Sequence, residues 1–299
     1  MVSRGALAMR SGFIALVVAG LAAVGCKSSG GSPADGGDTG TGANCPAADD
    51  LISNFDVDNS LAPVGGRQGG WYTYGDEMGS FANSGSGYNI AVDEGNPNCT
   101  PMGALHVKGT GFSLWGAATG VDWKPRPAGE DGGYGDKMTY DASAYRGVAF
   151  WAKASAPLDG VQVAFPDLYT DGAAPAHEMP DPTGGATPVC TDCRCIYNPS
   201  SGLNCSPYLV QFGKKGDAAA DVAFAGYASY QLDTTWKRFQ IFFVDTKQDP
   251  GNLGYRPPGD RLTADKLTAM AIQINADYST GSAQARNFEI WLDDVSFIK

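Results

Sequence analysis

Carboxylates occur near both ends of the part of the chain that is rich enough in apolar residues to fold. Asp56 and Asp58 lie near its start, and Asp293 and Asp294 lie near its end. These groups converge if the first and last strands are neighbours in one sheet. Calcium takes about six to eight oxygen ligands, many of them carboxylates. The spacing therefore predicts a structural calcium site, and the alternative is a solvated acidic edge without a metal.

Aromatic side chains in turn-rich stretches suggest a second chemistry, the binding of sugars. Sugars are bound by exposed rings together with a few carboxylate, amide or guanidinium groups. The candidate ligand-binding residues are Tyr72, Tyr74, Trp115, Trp123, Arg126, Asp167, Tyr169 and Asp171. Trp123 is expected to be exposed because Lys124 and Arg126 follow it. The alternative is burial, since aromatic residues also fill the cores of β-sandwiches.

Signals for catalysis are few. The chain has two histidines, His106 and His177, and it lacks a G-x-S-x-G nucleophile elbow and a phosphate-binding loop. His106 is predicted to be structural. No catalytic residue is predicted, although a glycosidase needs only two facing carboxylates, which a sequence does not exclude.

The N-terminus predicts export. Arg4 and Arg10 precede a short apolar run, 12–24, which is typical of a signal peptide and too short to span a bilayer. Small residues followed by Cys26 resemble a bacterial lipobox, which implies lipidation of Cys26 and a membrane anchor. The alternative is a soluble secreted protein. Residues 26–44 are nearly all small or polar and are predicted to be a flexible linker.

The remaining six cysteines predict disulfides, because exported proteins are oxidised. Four of them, Cys190, Cys193, Cys195 and Cys205, lie close together in a loop insertion near 170–210, and Cys45 is left to pair with Cys99. Export favours these disulfides over the alternative, a zinc site of four thiolates.

Composition limits the partners. The formal net charge of −11 argues against nucleic acid, which requires clustered cations. It fits a neutral ligand or a calcium requirement.

Short apolar stretches separated by Gly, Pro, Asp and Asn predict an all-β fold. In the last stretch, 288–297, a regular strand places one set of residues on one face (Phe288, Ile290, Leu292, Asp294 and Ser296) and a second set on the other (Glu289, Trp291, Asp293, Val295 and Phe297). This two-sided pattern is typical of a strand in a sandwich. Trp151, Trp236 and Trp291 lie inside such stretches and are assigned to the core or its edge. A short helical turn is predicted near 264–269. Residues 45–299 are therefore predicted to be one antiparallel β-sandwich, or jelly roll.

Several segments resemble the carbohydrate-binding modules with a galactose-binding-like jelly roll. They are LISNFDVDNS (51–60), GRQGGWYTYGDE (66–77), GTGFSLWGAATG (109–120), YDASAYRGVAFWAKA (140–154), TTWKRFQIFF (234–243) and FEIWLDDVSFI (288–298). The resemblance implies glycan binding and a structural calcium held by Asp56 with Asp293 or Asp294.

The function expected from these patterns is non-catalytic binding of a polysaccharide by a lipoprotein of the bacterial cell envelope. Two alternatives remain. One is a structural or adhesive envelope protein with a protein partner, and the other is a glycan hydrolase or lyase.

Overall fold

The computed structural model describes residues 45–48, 50–82, 90–92, 94–99, 102–124, 126, 137–171, 173, 195–198, 202–205, 207–212, 231–248, 261–277 and 282–299. The predicted signal peptide, Cys26, the linker, Cys190 and Cys193 lie outside these ranges, and their assignments stay predictions. Within these ranges, no helix has the length and apolar character that crossing a bilayer requires.

The described chain is built almost entirely of β-strands. They are β1 Leu51–Ser53, β2 Trp71–Gly75, β3 Ser80–Phe81, β4 Ile90–Val92, β5 Gly103–Phe112, β6 Gly116–Asp122, β7 Gly147–Ala154, β8 Val161–Phe165, β9 Cys195–Asn198, β10 Gly202–Cys205, β11 Tyr208–Phe212, β12 Lys237–Phe242, β13 Lys247–Gln248, β14 Ala269–Asn275 and β15 Arg286–Ile298. Short 3-10 helices occur at Val64–Gly66, Phe243–Asp245 and Ala264–Lys266. The third of these lies where the sequence predicts a helical turn.

Two antiparallel sheets share one core. The seven-stranded sheet has the order β12-β7-β15-β5-β3, with β1 beside β15 and β4 beside β5. The six-stranded sheet has the order β13-β11-β8-β14-β6-β2, and β9 and β10 form a separate ribbon. Phe150 and Ile290 from the first sheet and Val163 and Ile272 from the second belong to one buried apolar cluster. This arrangement confirms the predicted antiparallel β-sandwich.

Strand β15 is not the regular strand that its alternating sequence predicts. Leu292 faces the core, but a register shift follows between Asp293 and Ser296, and Val295 is the next core residue. Asp294 has a φ of 49°, in the left-handed region. Such a bulge inserts one residue and exchanges the two faces of the strand. The predicted alternation is therefore wrong beyond Leu292, and both Asp293 and Asp294 are buried.

A disulfide joins Cys45 to Cys99, as predicted. It ties the start of the sandwich to the loop 94–99, which also contacts the bulge of β15. In the β9–β10 ribbon, Cys195 lies directly opposite Cys205 in the backbone register. The pairing of the four clustered cysteines stays a prediction.

Candidate functional site

The outer face of the six-stranded sheet collects several residues that the sequence proposes for ligand binding. Trp71 and Val121 face the core, so the residues next to them along β2 and β6 face outward. Tyr72 pairs with Gly120, and Tyr74 pairs with Ala118. The two tyrosines therefore lie on the same side of the sheet, above small residues.

Three rings form a continuous group at this face, the aromatic strip: Tyr72, Tyr74 and Trp115. The ring centroids of Tyr72 and Tyr74 are 5.7 Å apart, and those of Tyr74 and Trp115 are 5.9 Å apart. Tyr74 is 40% exposed and Trp115 is 39% exposed. Leu114, beside Trp115, is also exposed. The strip therefore presents adjoining apolar ring surfaces to solvent.

Small residues lie beneath the Tyr74 ring. A Cβ atom at Gly120 would lie 3.5 Å from Cε1 of Tyr74, at van der Waals distance. Ala118, on the same face, is fully buried. The Gly- and Ala-rich sequence of β6 thus leaves room for the Tyr74 ring to lie across the strand.

A group of charged and polar side chains, the polar cluster, adjoins the Tyr72 end of the strip. Tyr72 Oη donates to Asp122 Oδ1 over 2.9 Å. Lys137 Nζ lies 2.9 Å from Asp122 Oδ1 and 3.1 Å from Asp171 Oδ2. Thr268 Oγ1 donates to Asp171 Oδ2 over 2.7 Å. The cluster consists of Asp122, Lys137, Asp171 and Thr268, and it holds the Tyr72 ring in place.

The tyrosine hydroxyls of the strip remain protonated at neutral pH. Burial, together with the charge of Asp122 and the hydrogen bond to it, raises the pKa of Tyr72 well above its ordinary value. Burial around its hydroxyl, with the charges of Asp171 and Asp122, raises the pKa of Tyr74 to about 12. Both side chains are therefore neutral hydrogen-bonding groups.

Amide side chains extend the polar surface across neighbouring strands. Gln273 pairs with Ala118 on one side and with Gln162 on the other, so all three lie on the outer face. Gln273 and Gln162 are half-buried, and Gln273 Nε2 donates to Asn275 Oδ1 over 2.7 Å. Amides of this kind both donate to and accept from sugar hydroxyls.

Trp123 is not the exposed ring that the sequence predicts. It is fully buried and packs against Tyr140 and Phe297, with ring centroids 5.8 Å and 5.4 Å away. Its neighbour Arg126 lies beside the polar cluster, with Nε 3.8 Å from Asp122 Oδ2. The prediction was wrong because Trp123 lies two residues after Val121, and the alternation of β6 therefore continues with Trp123 on the core side.

Asp167 also has a different role from the one predicted. It is fully buried, and its carboxylate accepts from the N–H groups of Tyr169 and Thr263 and from the Thr170 hydroxyl. These bonds fix a turn, so Asp167 does not present its carboxylate to a ligand. Tyr169 is half-buried, and its hydroxyl accepts from Lys266 Nζ over 3.1 Å. Of the predicted aspartates, only Asp171 joins the polar cluster.

The remaining tryptophans that the sequence assigned, and His106, lie at the outer face of the seven-stranded sheet. The His106 ring stacks on Trp291 at 4.6 Å, and its Nε2 lies 2.9 Å from Glu289 Oε1. Lys153 Nζ lies over the rings of Trp291 and Trp236, at 4.7 Å and 5.1 Å. Trp151 on this sheet is buried. These contacts fit the structural and edge roles predicted for these residues.

Three acidic residues of the predicted calcium site interact with one another at the bulge of β15. Strand β1 pairs with β15, so the first and last strands are neighbours as expected. The Asn96 backbone N–H donates to Asp293 over 2.7 Å, and its side chain donates to Asp294 over 3.0 Å. Burial, with the charges of Asp294 and Asp56, raises the pKa of Asp293 to about 8. Burial likewise raises the pKa of Asp56 and of Asp294.

The chemistry of this acidic group fits a cation. Asp56 Oδ1 is buried, and the backbone N–H groups of Gly103 and Met102 lower the pKa of this carboxylate by less than burial raises it. Asp56, Asp293 and Asp294 would supply the protein oxygens, and calcium would neutralise their repulsion. However, the described ranges contain no group of three or more His, Cys, Asp or Glu side chains arranged closely enough to hold a metal ion. Asp58 is exposed and accepts from the Ser60 N–H, which gives it a turn-forming role instead. The calcium site stays a prediction.

Several residues of the outer face were not predicted from the sequence. Asp122, Lys137, Gln162, Gln273 and Asn275 had no part in the predicted site. Asp122 follows Gly120 by two positions and shares its face, but the pairing of Gly120 with Tyr72 is visible only in the structure. No sequence signal pointed to Lys137, because it lies in the segment before β7 and only the tertiary structure brings it to the site.

Comparison with known proteins gives structural likenesses only. No protein-family model matches the sequence, and no curated protein matches it. The chain is similar to the family 11 carbohydrate-binding module of the cellulosomal cellulase Lic26A-Cel5E of Clostridium thermocellum, with a TM-score of 0.42 and 12% identity, covering 83% of this chain and 92% of the module. It is also similar to a family 30 carbohydrate-binding module, with a TM-score of 0.40 and 12% identity, covering 76% of this chain and 82% of that one. At these values the likenesses assign no family.

Proposed function

We propose that the protein is a polysaccharide-binding protein whose ligand lies along the aromatic strip. The observation that carries the proposal is the strip itself: three adjoining rings, two of them about 40% exposed, that end at a polar cluster. Solvent-facing rings beside a few oriented polar groups provide both an apolar surface and hydrogen bonds, as sugar rings require.

The charge of the site favours a neutral glycan. Asp122 and Asp171 are balanced by Lys137 and Arg126, so the charges of the polar cluster and its neighbour sum to about zero. The chain as a whole has a formal net charge of −11. An acidic polysaccharide would therefore meet a repulsive protein without a local cationic centre to hold it.

The arrangement favours binding over catalysis. A glycosidase needs one carboxyl group that donates a proton and a second that acts as a nucleophile or base. Lys137 lies between Asp122 and Asp171 and pairs with both of them. Tyr72 and Thr268 also donate hydrogen bonds to these carboxylates, so both serve as fixed acceptors in a polar network.

The proposed location is the bacterial cell envelope. It depends on the export signal and on Cys26 as the lipid attachment site, both read from the sequence. The linker 26–44 would then hold the sandwich away from the membrane, with the outer face free to meet a polysaccharide.

Substitution of Trp115→Ala or Tyr74→Ala is expected to weaken polysaccharide binding about tenfold, because each removes one exposed ring surface. Retardation of the purified protein in native gels cast with soluble neutral polysaccharides measures the affinity. Trp236→Ala, which removes a half-buried ring on the other sheet, is the matched control and should bind as the wild type does.

Two outcomes would overturn this proposal. The first is unchanged mobility of the folded wild-type protein across a broad panel of neutral polysaccharides. The second is binding that Trp115→Ala and Tyr74→Ala leave intact.

A further inference from the structure

We propose that Asp76 is a positioning residue that holds Trp115 in the aromatic strip. This inference rests on the proposed function, because it concerns the same site. Asp76 follows β2 directly, one residue after Gly75, and Trp115 lies in the turn between β5 and β6.

The Asp76 carboxylate accepts hydrogen bonds from the backbone on both sides of Trp115. Its Oδ2 atom accepts from the N–H groups of Leu114 and Gly116, over 2.7 Å and 3.1 Å. The Asp76 backbone N–H donates to the Gly116 carbonyl over 3.0 Å. The residues before and after Trp115 are therefore both tied to one residue at the end of β2, the strand that carries Tyr74.

The turn itself has little freedom to adjust. Gly116 has a φ of 115°, which a residue with a side chain rarely adopts. A Cβ atom there would lie 2.0 Å from the carbonyl oxygen of Ile274 in β14. Gly116, at the end of the turn, thus packs directly against strand β14. The Trp115 carbonyl accepts from the Ala276 N–H over 3.3 Å, and Asp76 holds the residues on either side of Trp115.

Asp76 does not reach the ligand surface. The residue is buried, and its other oxygen accepts from the Met78 N–H over 3.0 Å. Burial raises its pKa, but the hydrogen bonds from backbone N–H groups lower it further, so the net pKa lies below the ordinary value. The carboxylate is therefore ionised at neutral pH, and it accepts from the backbone N–H groups of Leu114, Gly116 and Met78, with a further backbone hydrogen bond from Ser113. Asp76 would therefore affect binding only by fixing the turn that carries Trp115.

A double-mutant cycle tests this inference. Asp76→Asn replaces a carboxylate oxygen by an NH₂ group that cannot accept, and we expect about fivefold weaker polysaccharide binding with unchanged mobility of the folded protein in a gel without polysaccharide. In the Trp115→Ala background the same substitution should weaken binding no further. Asp141→Asn is the matched control, because Asp141 also accepts from a backbone N–H, that of Ser143, on an exposed turn away from the strip.

A second measurement keeps the inference independent of the ligand. The part of the tryptophan fluorescence that Trp115→Ala removes reports on this ring. Acrylamide should quench that part more strongly in Asp76→Asn than in the wild type. Asp76→Glu, which keeps the charge but moves it by one methylene, should give an intermediate result and serves if Asp76→Asn does not fold.

The outcomes separate the two claims. If Trp115→Ala and Tyr74→Ala both bind as the wild type does, the proposed function fails, and the quenching result alone decides the role of Asp76. If Trp115→Ala weakens binding but the Asp76→Asn loss persists unchanged in that background, Asp76 acts elsewhere and the inference is wrong. Unchanged quenching in both Asp76 variants would also contradict it.

Discussion

In calcium-free buffer, the free energy of unfolding is expected to fall as the pH rises from about 4 to about 8, and Asp293 is the cause. Its carboxyl group has a pKa of about 8 in the folded protein and about 4 in an unfolded chain. Between these values the folded state holds a proton that the unfolded state has lost. Stability therefore decreases with rising pH over this window.

The size of this effect follows from the difference between the two pKa values. Each pKa unit corresponds to about 1.4 kcal/mol, so the full window amounts to about 4–6 kcal/mol. The contribution is fully present below about pH 4, where the carboxyl is protonated in both states. It is lost progressively up to about pH 8.

Urea denaturation in chelator at several pH values measures this slope. Asp293→Asn should remove most of it, because the amide keeps the shape of the carboxyl group without its charge. Asp58→Asn is the control, since Asp58 is exposed and forms only a local turn. A wild-type slope that Asp293→Asn leaves unchanged would show that another group titrates.

We predict that calcium reverses this trend. A bound cation neutralises Asp56, Asp293 and Asp294 and favours their ionised forms, so added calcium should raise the melting temperature most at about pH 8. Asp293→Asn should abolish that rise. Equal melting temperatures in calcium and in chelator at pH 8 would remove the calcium prediction and leave the pH dependence standing.

Lys137→Met is expected to lower the free energy of unfolding by about 3 kcal/mol, because it leaves Asp122 and Asp171 without their shared cation. Both carboxylates and the ammonium group are largely buried, with side-chain exposures of 9–16%. Denaturation at neutral pH measures the loss. Polysaccharide binding should weaken as well, since Tyr72 is anchored to Asp122.

Lys237→Met provides the comparison for this prediction. Lys237 pairs with Asp233 over 2.9 Å, but both side chains are exposed. A solvent-exposed pair contributes little to stability, so no measurable loss is expected. Equal losses of free energy of unfolding in Lys137→Met and Lys237→Met would mean that burial does not increase the contribution of the Lys137 ion pairs.

The sequence was sufficient for the fold because the core strands alternate clearly. The stretch 161–165 places Val161, Val163 and Phe165 at every second position, and it forms strand β8 of the sandwich. Strand β15 shows the limit of this reasoning. Its bulge at Asp294 depends on a left-handed backbone conformation that the alternation of residues does not reveal.

The site was harder to predict because its central strands have weak signals. Strand β6, with the sequence GAATGVD, contains few bulky residues and did not stand out as a strand. The same small residues allow the Tyr74 ring to lie over the sheet. The residues that make β6 hard to predict as a strand therefore also leave space for the site. Tyr72, Tyr74 and Trp115 were named as candidates, but Trp123 was not distinguishable from them by composition alone.

The central claim is that a polysaccharide covers the aromatic strip, and hydroxyl-radical footprinting of the protein with and without bound polysaccharide tests it most directly. Protection of Tyr72, Tyr74 and Trp115, with unchanged modification of Trp236 and Trp291 on the other sheet, is the predicted result. Unchanged modification of the three strip residues while the polysaccharide is bound would contradict the account.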